Sequence, residues 1–378
     1  MTTPESLEVM FVSSKVPEEE LFADLRMIVI DEIHAMAGTD RGAHLMSLIE
    51  RIDDVADRDI QRAGLSATVG NPDTMSDWLG GSSARENHVV DPTSDKNQKR
   101  NLLVTQRDNL VELAEDAAVS ADGNKSLFFC QSRSVTEAVA RRMRGRGTDV
   151  FVHHSSVSAD EREAAEARFR SGAKDACIVC TSTLELGIDV GDLDRVFQAD
   201  APSTVNAFMQ RMGRTGRREG VPSNMTFFCQ TSDAVLQAVA LIERAKQGWV
   251  EPVEPFGRTW PVLAHQLMAL TLAYGGIEQG RAWSLLSEVP DFADVTEEEF
   301  VEIVDHMEEK GYLYRQGGYL AIGEVAEKKY GAKNFLELYA VFSTPQLFEV
   351  ISPSGKEVGT LEQEFVDTLA EQKSSFLL

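Results

Sequence analysis

The sequence predicts an α/β protein built on mainly parallel sheets, followed by a smaller module of helices and a hairpin. Two observations predict the sheets. Short, continuous apolar runs end in acids or small polar residues, the mark of strands buried on both faces. These runs alternate with helical stretches, which is the spacing of strand–helix–strand units. A third observation sets the smaller module apart: after about residue 245 the strand runs give way to amphipathic helices.

In chain order, Arg26-Met-Ile-Val-Ile-Asp31 is the first such run, with a carboxylate at its C-terminal tip. A helical stretch from Gly42 to Ile52 follows, then a short strand in Arg62-Ala-Gly-Leu-Ser-Ala-Thr68. Residues 80–100 are rich in Gly, Ser, Asn, Asp and Lys and read as a linker. A second series places strands at Ser126–Cys130, Asp149–Val152, Ala176–Thr181, Arg195–Ala199 and Met225–Cys229, with helices near 134–145, 158–171 and 203–212. Ser158 with Glu161 has capping-box spacing. Beyond 245, Leu263–Tyr274 and Thr296–Lys310 are amphipathic helices, the second opened by a Thr296/Glu299 capping box. Tyr312-Leu-Tyr-Arg-Gln, Gly317-Gly318 and Tyr319-Leu-Ala-Ile form a hairpin around a two-glycine turn. Helix, helix, hairpin is the outline of a winged-helix module. The tail reads as strands at Ala340–Phe342, Leu347–Ile351 and Glu357–Leu361.

Length and composition bound the classes. At 378 residues the chain holds two or three domains, and 43% hydrophobic residues are enough for sizeable cores. It has no apolar run long enough for a membrane helix and no signal-peptide pattern, so a soluble, cytoplasmic protein is expected. Cys177 and Cys180 have metal-like spacing. On a strand, however, positions three apart face opposite sides, so the four cysteines read as core thiols. Net charge is −24, from 61 acidic and 37 basic residues, of which 25 are Arg and 12 Lys. That balance argues against an extended basic surface and leaves room only for a local basic groove. Acids dispersed along a Lys-poor chain suit solubility in a high-salt cytosol.

Two constellations carry chemistry. Asp31-Glu32-Ile33-His34 stands at the end of the first strand. An acid there can hold Mg²⁺ through water, and its neighbour can polarise a water toward phosphorus. The plainer alternative is a pair of surface acids. In Gln210-Arg-Met-Gly-Arg-Thr-Gly-Arg217, arginines at intervals of three are interleaved with glycines. Guanidinium forks suit phosphate oxygens, and glycine lets them approach closely. The plainer alternative here is a solvated basic turn.

Asp31–His34, Ser66-Ala67-Thr68, Thr181-Ser-Thr-Leu-Glu-Leu-Gly-Ile-Asp189 and Gln210–Arg217 resemble, in order, motifs II, III, V and VI of superfamily-two helicases. The stretch Asp31-Glu-Ile-His-Ala-Met-Ala-Gly-Thr-Asp-Arg-Gly-Ala-His44 is similar to the Lhr (large helicase-related) family, as are Phe335–Tyr339 and Phe342–Pro345. The resemblance implies RecA-like parallel-sheet lobes, the first incomplete (1–90) and the second complete (91–245). A winged-helix domain (246–325) and the start of a β-barrel (326–378) would follow. It implies ATP and Mg²⁺ as cofactors. Asp31 would be the Mg²⁺ residue, Glu32 the general base, Gln210 the residue facing the attacking water or γ-phosphate, and Arg214 and Arg217 the arginine fingers. Gly187 and Asp189 would lie on the nucleotide side. Thr3, Ser6, His34, Ser66, Thr68, Arg133, Thr181 and Arg211 would contact nucleic acid or couple it to the nucleotide. Thr3-Pro4-Glu5-Ser6 also reads as a helix start whose free N–H groups suit a phosphate.

One element of the family is missing. No segment of the chain supplies the phosphate-cradling Gly-x-x-x-x-Gly-Lys-Thr (Walker A) loop. The expectation is therefore a fragment of an ATP-dependent DNA helicase, inactive alone and acting on single-stranded or partly duplex DNA, with RNA a further option. The alternative is a non-catalytic nucleic-acid-binding remnant, or a subunit completed by a neighbouring chain that carries the Walker A half. A role in DNA repair or defence rests on family analogy alone. The winged helix is read equally as a strand-holding or a packing module. Trp249, Trp260 and Trp283 read as core rather than base-stacking residues, and His153-His154 as structural.

Overall fold

The computed structural model describes residues 1–13, 16–91, 99–170, 176–185, 191–218, 220–330, 347–351 and 357–362. In chain order the elements are α1 (Pro4–Val12), α2 (Glu18–Phe22), β1 (Met27–Ile30), α3 (Asp40–Ala56), β2 (Gln61–Gly64) and α4 (Pro72–Gly80). Next come β3 (Arg100–Gln106), α5 (Leu110–Ala121), β4 (Ser126–Phe129), α6 (Arg133–Gly145), β5 (Asp149–His153), α7 (Ala159–Arg170) and β6 (Ala176–Cys180). They are followed by β7 (Arg195–Ala199), α8 (Val205–Met212), β8 (Ser223–Cys229) and α9 (Ser232–Lys246). The rest are α10 (Trp260–Ala273), β9 (Ile277–Glu278), α11 (Gln279–Leu286), α12 (Glu297–Glu309), β10 (Leu313–Gln316), β11 (Tyr319–Ile322), α13 (Glu324–Tyr330), β12 (Leu347–Ile351) and β13 (Glu357–Glu362).

Two compact units result, one formed by Met1–Val90 with Pro252–Thr344, the other built on Asp91–Glu251. The second unit is a six-stranded sheet in the order β3-β8-β7-β4-β6-β5, all parallel. Every residue of β4 and β6 is buried, which is why both read as unbroken apolar runs. Alternation sends Phe128, Cys177 and Val179 to a core with α5 and α6, while Phe129, Ile178 and Cys180 pack with α8 and α9. The two cysteines therefore face opposite sides. Burial pushes the Cys177 thiol up to about 12, as befits an inert core residue.

Strand β3, absent from the sequence reading, pairs with β8 at the sheet edge, its polar ends and its 58%-exposed Leu103 masking it within the linker composition. Helices α4, α5, α9 and α11 were likewise not expected from periodicity. Ser158 accepts from the Glu161 N–H at 3.4 Å, and the Thr296/Glu299 box is complete.

In the first unit, β1 and β2 form a two-stranded parallel sheet. One core gathers Ile30, Ile33, Met46, Ile49, Trp78 and Leu79 together with Leu263, Leu267, Leu285, Phe292 and Phe300 of the later segment. Residues 260–322 thus share a core with residues 30–79. Within that segment β9, β10 and β11 make a small antiparallel sheet with Gly317 and Gly318 at the turn, both at positive φ. β12 and β13 pair antiparallel. The expected strand at Ala340–Phe342, the family-like stretches Phe335–Tyr339 and Phe342–Pro345, and Gly187 and Asp189 lie outside the described residues. No helix among the described residues is long and apolar enough to cross a membrane.

Candidate functional site

Parallel pairing of β1 with β2 brings the strand-end acids beside the Ser66-Ala67-Thr68 loop. Leu65 N–H donates to the Ile30 carbonyl at 2.8 Å, and Ile33 N–H donates to the Leu65 carbonyl at 3.0 Å. Between them Asp31 is exposed and caps the Glu32 N–H through Oδ1 at 3.0 Å. Glu32 adopts φ 51°, a left-handed conformation that a non-glycine residue takes only at a cost of about 1 kcal/mol or more. The turn lets the chain enter a short 3₁₀ turn over Ile33–Ala35, which buries His34. His34 Nδ1 lies 3.1 Å from Ser66 Oγ and accepts the Ala67 N–H at 3.3 Å, and Glu32 Oε2 stands 3.6 Å from it. An Nδ1 that accepts a backbone N–H belongs to a neutral ring protonated on Nε2.

Helix α3 follows directly, capped by Thr39, whose Oγ1 accepts the Gly42 N–H at 3.1 Å. A Cβ on Gly42 would stand 2.1 Å from the Met36 carbonyl oxygen, so only glycine lets the acid-bearing turn fold onto the helix. At the chain start, Thr3 caps α1 by accepting the Ser6 N–H at 3.3 Å, with Pro4 in the first turn. Thr3, Ser6, Ser66 and Thr68 are all exposed.

In the second unit Arg133 and Thr181 sit past the C-terminal ends of parallel strands, where α/β sheets bind ligands, whereas the turn bearing Arg214 and Arg217 lies against the start of β8, where Thr215 bonds Ser223 and Asn224. Arg133 begins α6 just beyond β4. Thr181 follows β6, and its N–H donates to the His153 carbonyl at 3.3 Å. His153 Nδ1 also meets Thr183 Oγ1 at 2.8 Å, and its Nε2 meets Glu166 at 3.2 Å. Burial lowers the His153 pKa, and the ring is a strut between β5, α7 and the Thr181 loop. His154 is also buried, against Glu137 at 3.1 Å.

Gln210 and Arg211 lie on α8, and Arg214 and Arg217 in the turn after it. Gly216 sits there at φ 70°. The three arginines differ. Arg211 is buried, with Nη1 on Gln198 Oε1 at 2.6 Å, Nη2 on Glu185 Oε2 at 2.9 Å, and its guanidinium 4.9 Å from the Phe129 ring centroid. Expected as a nucleic-acid or coupling residue, it points inward and is occupied by these protein partners. Arg214 is 9% exposed and donates to the Glu185 carbonyl. Arg217 is exposed and donates from Nε to the Gly213 carbonyl at 3.2 Å. Glu185, which holds the first two, and Gln198, which holds Arg211, were missed, because nothing marks a loop glutamate or a strand glutamine as the partner of an arginine 26 or 13 residues away.

Comparison with known proteins follows the same division. Residues 1–75 match the DEAD/DEAH box helicase domain model, and residues 106–219 match the helicase conserved C-terminal domain model. The Lhr helicase/uracil glycosylase of Escherichia coli is 28% identical over 97% of this chain and 28% of its own length. The ATP-dependent helicase Lhr-Core of Methanocaldococcus jannaschii is 28% identical over 98% of this chain and 44% of its own. The solved structure of Mycobacterium smegmatis helicase Lhr, bound to ssDNA and AMP-PNP, superposes with a TM-score of 0.78 at 27% identity, over 94% of this chain and 47% of that one. The chain belongs to the Lhr family of superfamily-two helicases. Its two parallel-sheet regions are the RecA-like lobes of that family. The DNA-bound helicase MrfA shares the fold at 19% identity, with a TM-score of 0.73. The chain spans less than half the length of the Lhr relatives named above.

Proposed function

We propose that this Lhr-family chain is the distal portion of an ATP-dependent DNA translocase core acting in the cytoplasm. The observation that supports it best is the His34 junction, where one neutral imidazole ties the Asp31–Glu32 turn to Ser66 and Ala67. A hydrogen-bonded junction between the acids and the loop after the next strand is what coupling of nucleotide state to a nucleic-acid surface requires.

The residues suit part of a Mg²⁺–ATP site. Asp31 is an exposed carboxylate at a strand tip, able to hold Mg²⁺ through water, and Glu32 next to it can orient and deprotonate a water. When bound, the metal would neutralise charge on the transferring phosphoryl group. Gln210, Arg214 and Arg217 would serve the γ-phosphate, with Gly187 and Asp189 on the nucleotide side. Arg214 would have to exchange the Glu185 carbonyl for phosphate oxygen. The donors that cradle the β- and γ-phosphates have no counterpart among the 378 residues.

The lobe-one sheet accords with a missing neighbour. Met27, Val29 and Leu65 are 46, 56 and 55% exposed, although parallel strands ordinarily bury both faces. A phosphate-loop segment, on the same polypeptide or a separate chain, would cover them. Thr3, Ser6, Thr68, Arg133 and Thr181 would contact the backbone of single-stranded DNA. Residues 260–322 are read as a winged helix used for packing. The outer face of α12 shows Glu297, Glu298, Glu302, Asp305 and Glu309, which repels phosphate from the helix that would enter a DNA groove.

The purified chain should bind oligo-dT yet hydrolyse ATP no faster than buffer. DNA-stimulated turnover abolished by Glu32→Gln would overturn the need for a completing segment. Absence of any DNA binding would overturn the translocase reading. The absent phosphate loop also favours a second reading, a non-catalytic DNA-binding subunit. Turnover restored by adding a phosphate-loop segment would eliminate it.

A further inference from the structure

The inward stripe of α1 is Pro4, Glu8 and Phe11, and its centre is a carboxylate with no exposed surface. A leucine there would pack at no electrostatic cost, whereas an ionised group must be fully compensated. Glu8 is. Its Oε2 accepts from His44 Nε2 at 2.9 Å and from Gln266 Nε2 at 2.8 Å, and Oε1 accepts from Arg51 Nη1. Burial alone would raise its pKa. The Arg51 charge and the His44 hydrogen bond outweigh that, with His265 adding to them, and the carboxyl is held well below its usual range. Arg51 also lies 4.3 Å over the Phe11 ring, and Gln266 Nε2 is 3.1 Å from His265 Nδ1.

Glu8, His44 and His265 bring ligand-type atoms within 4.8 Å of one another. Arg51 already balances the single carboxylate, so a divalent cation would leave two uncompensated positive charges in a buried core. The cluster is an anchor, not a metal centre. His44 and Arg51 come from α3, two turns apart, while Gln266 comes from α10, more than 250 residues from Glu8 in sequence.

We propose that Gln266 is a positioning residue for nucleic-acid binding: through Glu8 it fixes the rotation and height of α1, and hence the aim of the Thr3–Ser6 helix start. This rests on the reading that α1 contacts the DNA backbone. At nine residues α1 is too short to hold itself. Phe11 seats it in an apolar core with Phe22, Leu48 and Ile52, which is not directional, and its other polar tie, the Arg41–Glu5 pair at 2.7 and 3.1 Å, is half-exposed, so the buried bonds add the direction. The segment after the second lobe thereby controls a surface at the start of the first.

The test is a double-mutant cycle on the 378-residue chain, read by anisotropy of labelled oligo-dT, with thermal melts alongside. Ser6→Ala and Gln266→Leu should each weaken binding about five- to tenfold, the scale of one lost hydrogen bond. The double variant should be no weaker than the weaker single. If Ser6→Ala binds as wild type, α1 does not contact DNA and the underlying reading falls. If Ser6→Ala weakens binding and Gln266→Leu does not, or if the two effects add, only the present proposal falls. Should Gln266→Leu fail to fold, Gln266→Asn replaces it, and unfolding of both overturns the positioning role.

Discussion

Three arginines within seven residues show how little a motif's spelling says about each member. Arg211, wrapped by Glu185, Gln198 and Phe129, is structural support for the turn that bears Arg214 and Arg217. Arg211→Met should destabilise the second unit by about 3 kcal/mol, because it strands a half-buried Glu185 and a buried Gln198. Arg217→Ala should change its stability by less than about 0.5 kcal/mol, since an exposed guanidinium holding one carbonyl contributes little. Comparing the two melts checks both. Asp291 offers a pH prediction. It is buried, accepts from Trp78 Nε1 at 2.8 Å, and burial lifts its pKa from 3.8 to about 6 despite that bond. A raised folded pKa means that the folded state holds the proton longer. The stability it lends is present below pH 3.8 and is lost as pH rises through about 6. Asp291→Asn should therefore stabilise the first unit at neutral pH by up to about 3 kcal/mol, and the gain should shrink toward pH 4. A gain that does not change with pH would contradict this account.

At the scale of elements, β1 and β2 form a parallel pair left more open than the inner strands of the second lobe. Apolar residues alternate with exposure of up to 56% on strands that present unpaired edges, a surface open to other chains. The chain alone should self-associate at micromolar concentration. Val29→Lys with Leu65→Lys should return it to monomer in sedimentation velocity, and unchanged self-association would place the sticky surface elsewhere. Helix α12 teaches the opposite lesson. Its amphipathic period and capping box were plain in the sequence, which left strand-holding and packing roles equal, and only the structure shows that its outer face is acidic.

For the whole molecule, charge and division into units matter most. A net charge of −24 on a Lys-poor surface repels itself at low ionic strength. Melting temperature should rise as KCl increases from about 0.1 to 2 M, and a fall would remove the high-salt reading. The sequence by itself determined five of the second lobe's six strands and three of its five α-helices among the described residues. Strands buried on both faces are continuous apolar runs, and a run such as Ser126–Cys130 admits only one environment. It also placed Asp31–His34 and Ser66–Thr68 at strand ends and Gln210–Arg217 at the end of a helix, because acids, small polar residues and glycines interrupt apolar runs just where elements stop. Edge strand β3 escaped, since an edge needs no apolar continuity. What the tertiary structure decided was which polar residues meet. Glu8 with Gln266, Arg211 with Gln198, and Trp78 with Asp291 are pairings between distant segments. No local period encodes them, because a hydrogen bond fixes geometry only after the chain has brought its two ends together.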